Sequence, residues 1–370
     1  MGEQKERKLR VLIAGGGTGG HLFPGLAIAD ALLGRRPEAD IRFAGSNYGL
    51  EARVVPARGF RLYRIPVRGL YQVSWRRKLW VVAMLPLAFL RSLFLLLAFR
   101  PRLVIGVGGY ASGPVMATAL LLGRVTVLQE QNASAGLTNR LLGRFVRMAF
   151  LPFEGAEKIF PRHRVVGNPV RPAILALRDE PPAERPQPLL LVFGGSQGAH
   201  VLNRAICDAL PFLRQWSAAG GAELQILHQT GEAELDVVRA AYRDSGLPHT
   251  VLPFIEDMAD AFRRCRLVVG RAGASTVTEI VAARRPSVLV PIPATSGEHQ
   301  LKNAQRIQAA GAGLLLEQAE LSGQTLAAKI TALLADPARL AQMERNCDTL
   351  FRGDAAAIIA DACLQLVEGG

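Results

Sequence analysis

Three ionisable side chains stand where the chain could do chemistry. His21 closes "GGGTGGH", a glycine-rich run directly after the apolar stretch Val11–Ala14. An imidazole titrates near neutrality, so a histidine beside such a turn can take a proton from a hydroxyl while backbone N–H groups hold an anion. Orientation of a phosphate, or a purely local hydrogen bond, is the competing role for the same ring. Glu130 opens "EQNASAGLTN" straight after a second apolar run and is the other candidate base. Glu279 lies about one turn into "GRAGASTVTEI", behind Ser275, Thr276 and Thr278. Hydroxyls and amides at a helix start suit a phosphate, and a carboxylate one turn on can accept two protons from a ribose diol. A capping carboxylate would look the same. The loop "PIPATSGEHQLKNA", Pro291 to Ala304, adds His299, Gln300 and Asn303, a set able to hold sugar hydroxyls or to stand as an ordinary surface loop.

The elements that position these groups are βα units. Apolar runs at Arg10–Ala14, Ile41–Ala44, Leu103–Val107 and Val125–Leu128 read as buried parallel strands separated by helix-like segments. Gly167 to Pro188, rich in proline and charge, reads as an interdomain linker holding one short helical turn. After it the pattern restarts: "LLLVFGGSQGAHVLNRAICDAL" repeats the order of "RVLIAGGGTGGHLFPGLAIADAL", with Ser196 opposite Thr18. Two doubly wound α/β domains follow, each binding ligand at the carboxyl ends of its strands and so facing a common cleft. The predicted boundaries are 1–170 and 171–354. A final helix near 355–370 is free to pack on either domain.

Charge separates the two halves. Residues 1–175 carry 26 Lys and Arg against 9 Asp and Glu, a net of +17; residues 176–370 carry 18 against 22, a net of −4. A basic first half suits anionic lipid, a phosphorylated substrate or nucleic acid. No zinc-finger spacing or RNP-like aromatic motif supports the last, and no nucleic-acid partner is expected. The four cysteines (Cys207, Cys265, Cys347, Cys363) form no CxxC pair, which speaks against a metal site or a disulfide framework and fits a reducing compartment. The apolar run near the N-terminus is too short for a signal peptide, so the expected location is cytoplasmic.

The glycine turns exclude some ligands. Gly15, Gly17 and Gly20 satisfy GxGxxG, but the second strand lacks the acidic residue that would close it and hold a ribose, since Asp40 precedes the strand. "GGSQGAH" fails the fingerprint, GxxxxGK[ST] is absent, and so is DxD. What the turns keep is backbone N–H groups and a helix N-terminus aimed at an anion.

In order and spacing, "GGTGGHLFPGLA", "GVGGYASGP", "EQNASAGLTN", "VVGNPVR", "VFGGSQGA", "FIEDMA", "RAGASTVTEI" and "HQLKNA" resemble the MurG family of N-acetylglucosaminyltransferases, from about Arg10 to Ala304. The resemblance implies a GT-B glycosyltransferase fold, with a lipid-linked acceptor on the N-terminal domain and UDP-GlcNAc on the C-terminal one. It implies inverting, metal-independent, cofactor-free transfer of GlcNAc to the C4 hydroxyl of MurNAc in undecaprenyl-pyrophosphoryl-MurNAc-pentapeptide, lipid I becoming lipid II. Position by position, Thr18, Gly19, Gly20, Asn132, Arg171 and Ser196 would contact the donor, and Ile255 would meet uracil through its backbone. Ala274, Ser275, Thr276, Val277, Thr278 and Glu279 would hold pyrophosphate and ribose, Gln300 the GlcNAc, and Gly108, Gly109 and Tyr110 the acceptor. His21 and Glu130 are the catalytic candidates. One departure stands out: the family usually has histidine just before Glu-Gln-Asn, whereas this chain has Gln129, which cannot carry a proton.

Ser74 to Arg102 is the most apolar part of the chain, and Leu79–Phe99 holds one charge, Arg91. Its length is near the roughly 20 residues a span needs, but Pro86 and Arg91 disfavour crossing. The preferred reading over a span or a buried core helix is peripheral. Trp75, Leu79 and Trp80 would dip into the headgroup boundary while Arg76, Arg77 and Lys78 hold anionic lipid at the cytoplasmic face of the cell membrane. The resemblance gives a hydrophobic patch with a basic rim the same place, and other cell-wall synthesis proteins are compatible partners. Rival functions are a nucleotide-dependent oxidoreductase, another GT-B enzyme such as a glycolipid glycosyltransferase or UDP-GlcNAc epimerase, and a non-catalytic membrane scaffold. "GGYASGP" and "EQNASAGLTN", on the acceptor side, separate the MurG reading from other GT-B enzymes.

Overall fold

The computed structural model describes residues 8–17, 19–46, 50–67, 75–132, 135–152, 159–180, 188–221 and 223–369, with the side chains of all but 75–82 and 294–298. Thr18 lies outside the described residues. So do the side chains of Trp75, Arg76, Arg77, Lys78, Leu79 and Trp80, whose backbone alone is described. The chain divides into two compact units, residues 1–171 with 352–370, and residues 172–351.

Unit 1 runs β1 (Arg10–Gly15), α1 (Gly19–Arg35), β2 (Asp40–Gly45), α2 (Glu51–Ala57), β3 (Arg61–Arg64), α3 (Trp75–Phe99), β4 (Leu103–Gly108), α4 (Ser112–Leu121), β5 (Val125–Gln129), α5 (Leu137–Leu142), β6 (Met148–Leu151) and β7 (His163–Val165). Its seven strands are ordered β3-β2-β1-β4-β5-β6-β7, all parallel. The continuous apolar runs of β1 and β4 follow from burial on both faces, since helices cover each side of such a sheet. Chain order reverses between β1 and β4, which opens the crevice where doubly wound sheets bind ligands. The turns carrying His21 and Gly108–Gly109 leave that point.

Helix α3 is amphipathic over its described side chains. Ala88, Ser92, Leu95, Leu96 and Phe99 are buried at helical spacing, while Leu87, Phe89, Leu90, Phe94 and Leu97 are exposed, Phe94 at 64%. Among the described residues no helix is long and apolar enough to cross a membrane. A wholly buried core helix is excluded as well, because one face of α3 meets solvent with leucine and phenylalanine.

Unit 2 comprises α6 (Pro172–Leu175), β8 (Leu189–Phe193), α7 (His200–Ala218), β9 (Gln225–Gln229), α8 (Leu235–Arg243), β10 (His249–Leu252), α9 (Met258–Arg264), β11 (Cys265–Gly270), α10 (Ala274–Ala282), β12 (Ser287–Leu289), α11 (Ala294–Ala309), β13 (Gly313–Leu315), α12 (Gly323–Leu334) and α13 (Pro337–Leu350). Its six-stranded order is β10-β9-β8-β11-β12-β13, with the switch point between β8 and β11. The Ser196 turn and the start of α10 leave that point. Asp257, Ser322 and Asp336 cap α9, α12 and α13 by accepting backbone N–H bonds.

The chain then returns to unit 1 as α14 (Ala355–Glu368), capped by Asp354. Ala355, Ile359, Ala360, Cys363 and Val367 form its apolar stripe, which packs into the α1 core; Arg35 pairs with Asp361, and Arg36 with Glu368.

Candidate active site

Two glycine-bearing loops meet at the unit 1 switch point. Gly109 has φ +82°, and a Cβ there would lie 2.3 Å from the carbonyl oxygen of Gly16; one at Gly108, φ +88°, would lie 2.8 Å from His21 Nδ1. The turns after β1 and β4 touch because these residues lack side chains, and His21, third residue of α1, is lodged against them.

The GxGxxG pattern predicts an external anion on the first turn. The structure instead puts Glu51 there. Its buried carboxylate accepts the Gly17 N–H at 2.9 Å, the Ser46 N–H at 2.9 Å and the Ser46 hydroxyl at 2.7 Å. A Cβ on Gly16 would sit 2.5 Å from the Glu51 carboxyl carbon, so the glycine makes room for it. The acid that a dinucleotide site wants after β2 is therefore present but spent on the turn itself. Glu51 escaped the sequence reading because nothing local links residue 51 to residue 17.

His21 Nδ1 lies 2.8 Å from Gln131 Oε1 and 3.0 Å from the Val107 carbonyl oxygen. Both partners are acceptors as placed, so Nδ1 carries the proton and the neutral ring keeps its lone pair on Nε2. Glu130 is differently occupied. One carboxylate oxygen accepts the N–H groups of Gln131 (3.0 Å) and Asn132 (2.9 Å) and the Asn132 side-chain amide (3.2 Å). The other accepts the Gly136 N–H (3.1 Å) and the Asn139 amide (2.8 Å). Five donors fill the roughly four lone-pair positions a carboxylate offers, and the group is buried. It ties Gln131 and Asn132 to Gly136 and Asn139.

A cavity of about 490 Å³ joins these residues to the surface. His21, Gly108, Gly109, Tyr110, Glu130 and Asn132 form its polar end; Leu85 and Phe89 of α3 and Leu137 and Leu141 of α5 form apolar walls, with Leu141 60% exposed. Gly19 and Gly20 open α1 beside it, and the Arg171 guanidinium stacks over Phe23 of the same helix at 4.6 Å. Gln129 is wholly buried, bonded to Asn168 and the Glu130 carbonyl oxygen, so it lies behind His21.

In unit 2, Ser196 is half-buried on the turn after β8. Gln229, buried at the end of β9, donates to the Gly195 carbonyl oxygen at 2.8 Å and accepts the Ile255 N–H at 2.8 Å. Any backbone contact of Ile255 with a base through that N–H requires the second bond to open. Helix α10 begins at Ala274 with Ser275 and Thr276 half-buried, Val277 and Glu279 buried, and the Thr278 hydroxyl turned back onto the Ala274 carbonyl oxygen at 2.8 Å. Its first N–H groups lack intrahelical partners, as at every helix start. Arg271, three residues earlier, is buried; its Nη1 donates to the Val290 and Pro291 carbonyl oxygens, both at 3.1 Å, and among the described residues its Nε has no hydrogen-bond partner. Burial pushes its pKa down, and an anion beside it would reverse that cost. Asn303 of α11 donates to the Ala272 carbonyl oxygen at 3.0 Å, and Gln300 accepts the Ile292 N–H at 3.2 Å, so both α11 amides frame the loops around α10. Arg271 is a second residue the sequence reading missed, although its place between strand and helix was visible.

Models of the glycosyltransferase family 28 N-terminal and C-terminal domains match residues 11–151 and 189–359. A protein of Anaeromyxobacter sp. (strain K), named UDP-N-acetylglucosamine:N-acetylmuramyl-(pentapeptide) pyrophosphoryl-undecaprenol N-acetylglucosamine transferase, is 45% identical over 361 residues, covering 97% of this chain and 93% of that protein. A protein of the same name from Myxococcus xanthus (strain DK1622) is 42% identical over 363 residues, covering 97% and 93%. The crystal structure of Acinetobacter baumannii MurG matches with a TM-score of 0.70 at 29% identity, covering 96% of this chain and 99% of that one. With two parallel-sheet α/β units, matches to both family 28 domains and identity along nearly its whole length, this chain belongs to the MurG family of N-acetylglucosaminyltransferases and has the GT-B fold.

Proposed function

We infer that this chain transfers GlcNAc from UDP-GlcNAc to the C4 hydroxyl of MurNAc in undecaprenyl-pyrophosphoryl-MurNAc-pentapeptide, with inversion at the anomeric carbon, in peptidoglycan synthesis. The observation that carries the mechanism is the placement of His21. With Nδ1 donating to Gln131 and Val107, Nε2 is the basic atom, and the ring borders the cavity shared by Gly108, Gly109 and Tyr110. The acceptor oxygen attacks C1 of GlcNAc and its proton passes to Nε2. The C1–oxygen bond to the diphosphate breaks and the electron pair leaves with UDP. The saturated Glu130 shapes the loop and leaves the base role to His21.

Unit 2 holds the donor in this reading. Diphosphate lies at the start of α10, between Ala274–Thr276 and Ser196, with Arg271 supplying positive charge from beneath; Glu279 accepts the ribose hydroxyls and Gln300 the sugar. Asn132 and Arg171 contribute to the donor from unit 1. The exposed apolar face of α3, with the basic residues at its ends, seats the enzyme peripherally on the cytoplasmic leaflet.

Turnover of UDP-GlcNAc with a lipid I analogue tests the reading. Release of UDP should depend on the analogue, persist in EDTA, and fall at least 100-fold in His21→Gln, the low end of a general base's contribution. Acceptor-independent UDP release, or donor affinity unchanged in Glu279→Ala, would refute it.

A further inference from the structure

The bond from His21 to Gln131 has meaning only if the Gln131 amide points one way. Its oxygen and nitrogen have nearly the same shape, so direction must come from what surrounds them. Gln131 Nε2 lies 2.7 Å from the Val107 carbonyl oxygen and 2.5 Å from Gln129 Oε1. Gln129 Nε2 in turn donates to the Glu130 carbonyl oxygen at 3.0 Å and to Asn168 Oδ1 at 3.1 Å, and Asn168 Nδ2 donates to the Gln131 carbonyl oxygen at 3.0 Å. All three amides are buried.

The three amides therefore form a ring closed through main-chain carbonyls. A carbonyl on the backbone cannot exchange its role, so Val107, Glu130 and Gln131 each fix the donating end of one amide. Reversing Gln131 would set its oxygen against two other oxygens and its NH2 against His21 Nδ1. An imidazole facing that NH2 would take the opposite tautomer, with the proton on Nε2 and no base toward the cavity. A buried polar group left without a partner is costly, which holds the ring in a single state.

We propose that Gln131 is a positioning residue for the transfer: its side-chain amide, set in one direction by Val107, Gln129 and Asn168, holds His21 in the Nδ1–H form and keeps Nε2 as the proton acceptor. This rests on the reading of His21 as the base. Gln131 fills the place that the orienting carboxylate fills in a serine-protease triad, but it is neutral, so it sets the tautomer without adding a charge to the pocket. When Nε2 takes the acceptor's proton, the imidazolium keeps its Nδ1–H bonds and nothing needs to reorganise.

The test uses the full chain with ¹⁵N-labelled histidine. Long-range ¹H–¹⁵N correlations distinguish the two neutral tautomers, and the His21 signals are identified by their loss in His21→Gln. The wild type should show Nδ1–H. Gln131→Met, which removes the closer acceptor and leaves only Val107, should show a population of Nε2–H, with kcat down about tenfold or more and KM for both substrates within about twofold. Gln131→Glu keeps an acceptor, so it should restore Nδ1–H; its charge stabilises the imidazolium and should move the acid limb of the kcat profile to higher pH. Pure Nε2–H in the wild type overturns the proposal without any variant, and so does a Gln131→Met protein with unaltered tautomer and kcat. The base reading is scored separately. If His21→Gln keeps more than about a tenth of wild-type kcat, His21 is not the base; if it is inactive while Gln131→Met is unaffected, only the role of Gln131 falls.

Discussion

His228 should make unit 2 acid-labile well above the pH at which carboxylates titrate. It sits wholly buried on β9, with Nε2 3.1 Å from Asn203 Oδ1 and Nδ1 3.1 Å from the Tyr242 hydroxyl. Asn203 donates its NH2 to the Thr230 carbonyl oxygen and Glu234, so Nε2 must be the protonated nitrogen and the tyrosine hydroxyl donates to Nδ1. A second proton would place a charge away from water, and burial pushes the pKa down to about 3. The native pKa lies below the unfolded one. The unfolded chain therefore takes up a proton that the native chain refuses as pH falls below about 6.5, and stability drops from there toward pH 3. Each pH unit inside that window costs about 1.4 kcal/mol, so going from pH 7 to pH 5 should cost about 2 kcal/mol. With an m-value of about 2 kcal/mol per molar, that moves the urea midpoint by roughly 1 M. The low-lying carboxylates, including Asp348 held down by hydrogen bonds from Arg284 and Arg178 against its own burial, take no part until lower pH. Trp216 lies in unit 2 and serves as the fluorescence probe. His228→Gln can keep both hydrogen bonds without titrating and should flatten the pH 7 to 5 slope. A wild type losing under about 0.5 kcal/mol over that interval, or a variant with the same slope, would refute the assignment of the loss to this residue.

Three other outcomes are expected. Glu130→Ala strips five donors of their acceptor and should abolish measurable turnover while the urea midpoint of unit 2 is unchanged; Glu130→Gln should recover part of the activity, since its oxygen can still accept from the loop. Arg271→Met should weaken UDP binding by about tenfold or more, read by calorimetry, because it removes a buried cation from the start of α10. Replacing Leu90 and Phe94 together with Glu should lower binding to anionic vesicles, measured by sedimentation, without changing kcat on a water-soluble acceptor. Unchanged vesicle binding would sever α3 from the membrane.

Much of the fold could be read in the residues. Each expected strand of unit 1 lies inside an observed one, because buried parallel strands are mostly apolar runs, three of these four ended by glycine. The repeat of strand, Gly-Gly-hydroxyl turn and helix marked both switch points. The docking of α14 was not readable, since an apolar stripe fixes which face is buried and not which partner buries it; α1 decides it with its own stripe and with Arg35 and Arg36. Glu130 shows the same gap at the site. As a lone acid after a strand it looks like a base, and only the fold reveals that donors from residues 131, 132, 136 and 139 converge on it.

The residues hidden from the sequence share one physical task. A glycine turn is open to ligand because it is thin, and for the same reason it has little of its own to hold its shape. In unit 1, Glu51 pins the turn after β1 at Gly17, and Gln131 spans from Val107, just before the Gly108–Gly109 turn, to His21. In unit 2, Gln229 pins the turn after β8 at Gly195 and the Ile255 backbone, one residue from the buried His228. Each is a long polar side chain, nearly buried, bonded at main-chain atoms whose direction cannot change. On the proposed reading, binding energy from a diphosphate then need not be spent on ordering these loops, which is the condition for amides to stabilise a leaving group in place of a metal ion. The same logic separates donor binding from the pH dependence of unit 2 stability. Native His228 stays neutral until about pH 3, so no charge reaches the strand end that carries Gln229 between pH 6 and 5, and the donor affinity of folded protein should match in wild type and His228→Gln over that interval while their stabilities diverge.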